Sequence, residues 1–360
     1  MSIIDRARPQ VRALTPYSSA RMEAGDAAIM LNANESPWAP PGDAGRQLNR
    51  YPQPQPQVLR ERLAMLYGVE PTELLIGRGS DEAIDLLVRA FCTPGVDGIA
   101  ICPPTFGMYA VCAATQDAAI TQVPLRDDFS VDVEALLSTL PETTKLVFLC
   151  SPNNPTGGCM PRADIERIAG ALSERAMVIV DEAYIEFAEA ESAATLIARY
   201  PNLGVLRTLS KAWALAGARV GVLLADAPVI ALLRKIMAPY PLPTPCVEAA
   251  LVATDADGEA LTRERIATVR AERRRLADAL RQLPQVLDVY PSDANFLTVR
   301  LADAKASYQQ LAAQGVVVRD VGRYPLLAGC LRFSIGTPQE NNRLLAILAE
   351  AATGLEERTA

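Results

Sequence analysis

Apolar runs of strand length, separated by helical patterns, are the feature that most constrains the fold of this chain. Six such runs lie between residues 97 and 225, and they read DGIAIC, AITQV, KLVFLC, MVIVDEAY, GVLRTLS and RVGVLLA. Near-continuous apolar strands that alternate with helices are typical of a parallel sheet with both faces covered. We therefore predict an α/β fold with a large, mostly parallel central sheet flanked by helices.

A second, smaller unit is predicted because the pattern changes after residue 245. A long helical pattern over residues 259–283 precedes short strand-like runs, NFLTVRL, GVVVRD and CLRFSIG, and a last helical pattern covers residues 338–352. We expect a large domain over residues 41–245 and a smaller α+β domain over 246–360. Residues 1–40 are expected to form an N-terminal arm that belongs partly to the smaller domain.

Composition excludes several classes of function. The formal net charge of −7 argues against nucleic acid as the main partner, and the absence of histidine removes His-based triads and His metal sites. Seven scattered cysteines without a CxxC pair indicate a reducing compartment. With no apolar run of membrane-spanning length and no signal-like N-terminus, we expect a cytoplasmic protein without a membrane partner and without a metal site.

Lys211 is the first candidate for chemistry. It stands in the apolar, small-residue stretch LSKAWALAG, and only four of the 35 basic residues are lysines. A desolvated lysine loses its proton and attacks a carbonyl, which arginine cannot do. On this stretch alone, a lysine that extends its amine to solvent over an apolar surface remains the alternative.

Three polar motifs follow apolar runs, where ligands bind in open α/β sheets. Residues 77–82, GRGSDE, form either an anion site at a helix start or an ordinary capped turn. Residues 151–157, SPNNPTG, face a ligand crevice or form a plain turn. Asp181 and Glu182 end a buried strand, so they pair with a cation there or cap a helix.

Taken together and in order, these motifs resemble the fold-type I pyridoxal-phosphate aminotransferases. Within that family the similarity is closest to the histidinol-phosphate aminotransferases, and it covers residues 9–345. The segments that carry it read LTPYSSAR, LNANESPW, NRYPQPQ, GRGSDEAIDLL, CPPTFGMY, SPNNPTG, VDEAYIEF, RTLSKAWALAGARVG, APYPLPTP and CLRFSIGT. Two departures from the family pattern are Phe106, where tyrosine is expected, and Trp213, where phenylalanine is expected.

The resemblance implies pyridoxal 5′-phosphate as the cofactor. Lys211 would hold it as a covalent aldimine and later move the substrate proton. Asp181 would pair with the pyridine nitrogen, and Tyr184 and Asn154 would bond the ring 3′-oxygen. Tyr109 would stack on the ring face.

The resemblance also implies how the cofactor phosphate is held. The first residues of the helix after the Gly-x-Gly turn, which are Gly79, Ser80 and Asp81, would surround the phosphate, with Ser210 and Arg219 as further donors. Tyr51 would reach the phosphate of a neighbouring subunit's cofactor, so the active unit would be a homodimer with a shared site.

The implied substrates are L-histidinol phosphate and 2-oxoglutarate, with glutamate as a product. Arg332, Arg319 and Tyr17 would hold the substrate anion, with Asn154 beside them. A surface ion pair between Arg319 and Asp320 is the alternative for that arginine. A decarboxylase of an amino-acid phosphate and an aromatic or broad-specificity aminotransferase remain alternative functions, since both would use the same cofactor site.

Overall fold

The computed structural model describes residues 2–18 and 29–359 of the chain. Within these ranges, two sheets hold the strands. The first sheet contains β1 Leu74–Arg78, β2 Gly98–Ile101, β3 Ala119–Gln122, β4 Thr144–Cys150, β5 Met177–Asp181, β6 Leu203–Thr208 and β7 Val220–Ala225. The second contains β8 Val286–Val289, β9 Phe296–Leu301, β10 Arg319–Asp320 and β11 Cys330–Ser334.

The first sheet is mostly parallel, as the sequence predicted. Its order is β1-β7-β6-β5-β4-β2-β3. Strands β6, β5, β4, β2 and β3 pair in parallel, whereas β7 runs antiparallel to both β6 and β1. The parallel strands β4, β5 and β6 therefore end at one edge of the sheet, and the motifs that follow them meet there.

Helices surround this sheet and pack beside the second one. The helices of the described residues are α1 Pro9–Ala13, α2 Gln57–Tyr67, α3 Ser80–Phe91, α4 Met108–Thr115, α5 Val133–Thr139, α6 Arg162–Ala171, α7 Ala227–Arg234, α8 Thr244–Ala253, α9 Ala256–Arg281, α10 Ala304–Ala313 and α11 Pro338–Thr359. None of the helices in these ranges combines the length and apolarity needed to cross a lipid bilayer.

Both faces of the first sheet are buried. Along β1 and β5, alternate residues enter opposite cores: Ile76 and Val178 lie in one, and Leu75 and Ile179 lie in the other. This explains why the strands read as continuous apolar runs rather than as an alternating pattern. Packing on both faces fixes the strand ends, which are the platform for the polar motifs.

The start of α3 is set by Gly79. Its φ of +78° is a conformation that glycine adopts without strain, and the helix begins at the next residue. Asp81 and Glu82 occupy the first turn, where negative side chains interact favourably with the helix dipole. The predicted turn and helix start are therefore both present.

The second sheet is antiparallel, with the order β10-β11-β9-β8. The strand predicted over residues 315–320 is much shorter than expected and consists of β10 alone. The reason is that the N–H of Val316 bonds the carbonyl oxygen of Leu311 and so belongs to the end of α10. The first sheet falls inside the predicted range 41–245 and the second inside 246–360, while the boundaries themselves stay a prediction.

Candidate active site

A cavity of about 110 Å³ opens where β4, β5 and β6 end, beside the start of α3. It gathers most of the residues that the motifs singled out, although they come from four separate segments. The predicted site residues that line it are Gly79, Ser80, Asp81, Asn154, Asp181, Tyr184, Ser210, Lys211 and Arg219.

Lys211 lies in the turn region between β6 and β7, and its amine reaches over the ring of Tyr184, with Nζ 5.6 Å from the ring centroid. Its side chain is open to the cavity rather than packed in the core. Desolvation, followed by the positive charge of Arg332, lowers the pKa of Lys211. A lowered pKa increases the fraction of neutral amine, which is the nucleophilic and basic form.

Asp181 forms the floor of the cavity at the end of β5, where it is 2% exposed. Its Oδ1 accepts a hydrogen bond from the backbone N–H of Ala183 at 3.1 Å, and its Oδ2 accepts one from the hydroxyl of Tyr109 at 2.7 Å. Burial raises the pKa of Asp181, and these two donors act in the opposite direction. The result is a fixed carboxylate in a dry position.

The opposite end of the cavity is rich in donors for an anion. The N-terminal turn of α3 presents free N–H groups, and the hydroxyls of Thr208 and Ser210 lie 3.0 Å apart beside it. Arg219, at φ +57°, donates from Nη2 to Oδ2 of Asp81 at 3.1 Å. This donor set suits a phosphate group.

Two glycines allow β7, Arg219 and the start of α3 to lie close together at the donor-rich end of the cavity. A Cβ at Gly79 would lie 2.6 Å from Nη2 of Arg219, and a Cβ at Gly221 would lie 2.4 Å from the backbone nitrogen of Ser80. Either side chain would displace Arg219 or the start of α3. The close approach of β7 to the helix start therefore requires glycine at both positions.

The second sheet contributes Arg332 to this site. Arg332 lies on β11 and donates a hydrogen bond from Nη1 to Oδ1 of Asn154, while its guanidinium carbon sits 5.1 Å from the ring centroid of Phe296. The same Phe296 ring meets Tyr184 edge-on, at 5.3 Å and 87°. Arg332 therefore links the two sheets at the mouth of the cavity.

Tyr109 is not where the resemblance placed it, so its predicted stacking role is corrected. Its ring is fully buried and stacks on Phe148 at 4.8 Å and 6°. Phe106, in the same segment, lines the cavity instead and meets Tyr109 edge-on at 5.6 Å. Packing against β4 draws Tyr109 into the core, and only its hydroxyl reaches the site.

Besides Tyr109 and Arg332, three more predicted residues do not line the cavity of this chain. Arg319 is exposed on β10, directly opposite Arg332 in the ladder. Tyr51 is 47% exposed and stacks on Tyr240 at 4.4 Å, and Tyr17 is 69% exposed beside a separate groove. Within the described residues, no ion pair joins Arg319 to Asp320, whose carboxylate accepts the N–H of Gly322 at 2.8 Å.

The motifs did not identify four residues that line the cavity: Phe106, Cys150, Ala183 and Thr208. Cys150 and Thr208 are the last residues of β4 and β6, and Cys150 is the direct register partner of Asp181. Their position at strand ends was a usable signal. Nothing in the sequence ranked Phe106 above Tyr109, since both stand in the same segment.

Comparison with known proteins identifies the family. The class I and II aminotransferase family matches residues 26–348. The histidinol-phosphate aminotransferase of Stenotrophomonas maltophilia is 56% identical over 346 residues, which are 95% of each chain.

Solved structures agree in fold. The histidinol-phosphate aminotransferase of Sinorhizobium meliloti in complex with pyridoxal-5′-phosphate superposes with a TM-score of 0.78 at 25% identity, over 96% of this chain and 97% of that one. An L-threonine-O-3-phosphate decarboxylase from Porphyromonas gingivalis shares the fold, with a TM-score of 0.72 at 22% identity over 86% of this chain and 91% of that one. The chain therefore belongs to the class I and II aminotransferase family, as its motifs predicted.

Proposed function

We propose that this chain transfers the amino group of L-histidinol phosphate to 2-oxoglutarate, giving imidazole-acetol phosphate and L-glutamate, with pyridoxal 5′-phosphate as cofactor. The 56% identity to a named histidinol-phosphate aminotransferase over 95% of each chain is the observation that carries this proposal. Amino-group transfer itself follows from the family, and we keep the cytoplasm as the expected location.

The residues of the cavity fit this cofactor. Gly79 and Gly221 let Arg219 and the start of α3 come close together, as donors to one phosphate must, because a Cβ at either position would push them apart. Asp181 supplies a buried carboxyl group to face a protonated pyridine nitrogen, and Lys211 supplies an amine of lowered pKa. When bound, the cofactor withdraws electrons from the carbon that carries the substrate amine.

Under this proposal, the residues that line the cavity have separate roles. Lys211 is the residue we propose as the point of covalent attachment, and its Nζ is the base that removes the proton from the substrate carbon and returns it. Asp181 holds its charge against the ring nitrogen. Tyr184 and Asn154 are proposed to bond the ring oxygen, and Phe106 takes the stacking role first assigned to Tyr109.

The substrate anion is proposed to bind between Arg319 and Arg332. These arginines are direct partners across β10 and β11, and the charge of Arg319 helps to lower the pKa of Arg332, after the larger effect of burial. Like charges directly opposite in a ladder are unfavourable. Within the described ranges neither arginine forms an ion pair with a carboxylate, so an anionic ligand is the partner that would relieve the repulsion.

We further propose that the active unit is a homodimer with shared sites. Tyr17 and Tyr51 lie outside the chain's own cavity, and both are exposed enough to contact a neighbouring subunit, Tyr51 with its ring stacked on Tyr240. Under this proposal, Tyr51 reaches the cofactor phosphate of the neighbour, and Tyr17 reaches its substrate.

The proposal is tested by assaying the pure protein with L-histidinol phosphate and 2-oxoglutarate, beside phenylalanine and phosphothreonine as competing substrates. We expect glutamate to form fastest with histidinol phosphate. Release of CO2 from phosphothreonine without formation of glutamate would identify a decarboxylase instead. Faster glutamate formation with phenylalanine would identify an aromatic aminotransferase.

A further inference from the structure

Tyr109 lies beneath the cavity, and its hydroxyl contacts a site residue, Asp181. The ring is completely buried at the start of α4 and stacks on Phe148 of β4. The hydroxyl donates to Oδ2 of Asp181 at 2.7 Å, and the thiol of Cys150 lies beside it. Burial, followed by the charge of Asp181, raises the pKa of Tyr109, so the hydroxyl keeps its proton and remains a donor.

We propose that Tyr109 is a positioning residue for the transamination: its hydroxyl holds the Asp181 carboxylate ionised and in a fixed orientation toward the cavity. This inference rests on the proposed function, because it concerns the carboxylate that would face the cofactor ring. It gives Tyr109 a role different from ring stacking.

The geometry around Asp181 supports this role. Each carboxylate oxygen has one donor, because Ala183 N–H bonds Oδ1 and Tyr109 bonds Oδ2. Two donors on two oxygens fix the plane of the group, and a hydrogen bond to the ionised form favours that form. Without them, a carboxylate that is 2% exposed would gain from taking up a proton.

The groups that face Asp181 from other elements do not replace Tyr109. Asp81 on α3 carries the same charge and raises the pKa of Asp181, while Lys211 lowers it less than either hydrogen bond does. Cys150 and Tyr184 also face the carboxylate, and burial keeps both protonated by raising their pKa. Of the effects that favour the ionised carboxylate, the Tyr109 hydrogen bond is the largest.

The test uses Tyr109→Phe, which keeps the stacked ring and removes only the hydroxyl. Tyr290→Phe is the matched control, because it removes a tyrosine hydroxyl bonded to a charged side chain, Arg300, at 2.9 Å outside the cavity. Two quantities are measured for wild type and both variants. They are the pH profile of kcat and the Kd of pyridoxal phosphate for the apoprotein between acid and neutral pH.

Loss of the hydroxyl donor sets the direction of the expected pKa change. Removing it raises the pKa of Asp181 further, so the carboxylate becomes protonated at a higher pH. We expect the acid limb of the kcat profile to move upward by about one pH unit in Tyr109→Phe. We also expect cofactor binding to weaken about tenfold at the acid end of the range. Tyr290→Phe should show neither change.

A wild-type pH profile and wild-type cofactor affinity in Tyr109→Phe would overturn the proposal. A loss of thermal stability larger than that of Tyr290→Phe, without a shift of the acid limb, would also overturn it and assign Tyr109 a packing role. If wild type does not use histidinol phosphate, the proposed substrate is wrong, but the cofactor affinities still decide the role of Tyr109.

Discussion

The floor and the mouth of the cavity differ in how completely this chain builds them. At the floor, Asp181 ends a strand that is buried on both faces, and each of its oxygens has a donor. Near the mouth, Arg319 lies exposed on a two-residue edge strand opposite Arg332, and Tyr51, which lies outside this chain's cavity, is 47% exposed. Packing within one chain orders the floor, whereas the partners that we propose for Arg319 and Tyr51, a substrate anion and a second subunit, lie outside this chain.

The largest effect is expected at the floor from Lys211→Ala. The variant should lose turnover by a factor on the order of 10⁴ or more, because no other amine takes over removal of the substrate proton. Its fold should persist, since Lys211 is open to the cavity. Lys235→Ala, which removes a lysine bonded to the carbonyl of Arg12 at 2.7 Å, is the control in the same rate assay. Wild-type turnover in Lys211→Ala would contradict the assignment.

Asp181→Asn separates charge from shape at the floor. The amide keeps the size of the carboxylate but loses the charge, so kcat should fall by roughly 10²–10³. Glu182→Gln is the matched control in the adjacent position, because its carboxylate accepts from Ser192 and Ala193 rather than facing the cavity. That control should lower stability by about 1–3 kcal/mol, with a smaller effect on kcat. A fall in kcat below threefold for Asp181→Asn would argue against this role.

Arg319→Ala tests the mouth. Loss of a charge-assisted contact with phosphate should lower kcat/KM for histidinol phosphate by roughly ten- to a hundredfold. Dephosphorylated histidinol does not offer this contact, so its kcat/KM should hardly change. Arg332→Ala should reduce kcat/KM for both histidinol phosphate and 2-oxoglutarate. If the ratio of kcat/KM between histidinol phosphate and histidinol is the same in wild type and Arg319→Ala, Arg319 does not bind the phosphate.

The smallest effect is expected from Tyr51→Phe. Loss of one neutral hydroxyl contact should weaken cofactor retention about two- to tenfold, measured by equilibrium dialysis. Mixing Tyr51→Ala with Lys211→Ala should restore partial activity, because hybrid dimers contain one site with both residues intact. Subunit exchange is checked independently by labelled chains. Exchange without recovered activity would mean that the mouth is completed within one subunit.

Much of the floor was predictable from local sequence. A strand-end motif pointed to Asp181, because ligands bind beyond the ends of buried strands. Lys211 stood out as one of only four lysines, in an apolar, small-residue stretch. The structure around Arg319, near the mouth of the cavity, was harder to predict from local sequence. The pattern GVVVRD predicted a full strand, yet only Arg319 and Asp320 pair with β11, because the preceding valines follow the end of a helix.

The sequence by itself determined the family, the alternation of strands and helices, and the chemical groups available to the site. These are properties of short segments, so periodicity and motif spacing carry them. Only the tertiary structure decided that Phe106 faces the cavity while Tyr109 packs on Phe148 and bonds Asp181. It also decided that Arg332 meets Asn154, 178 residues away in the chain. Such choices depend on packing between distant elements, and no local pattern records them.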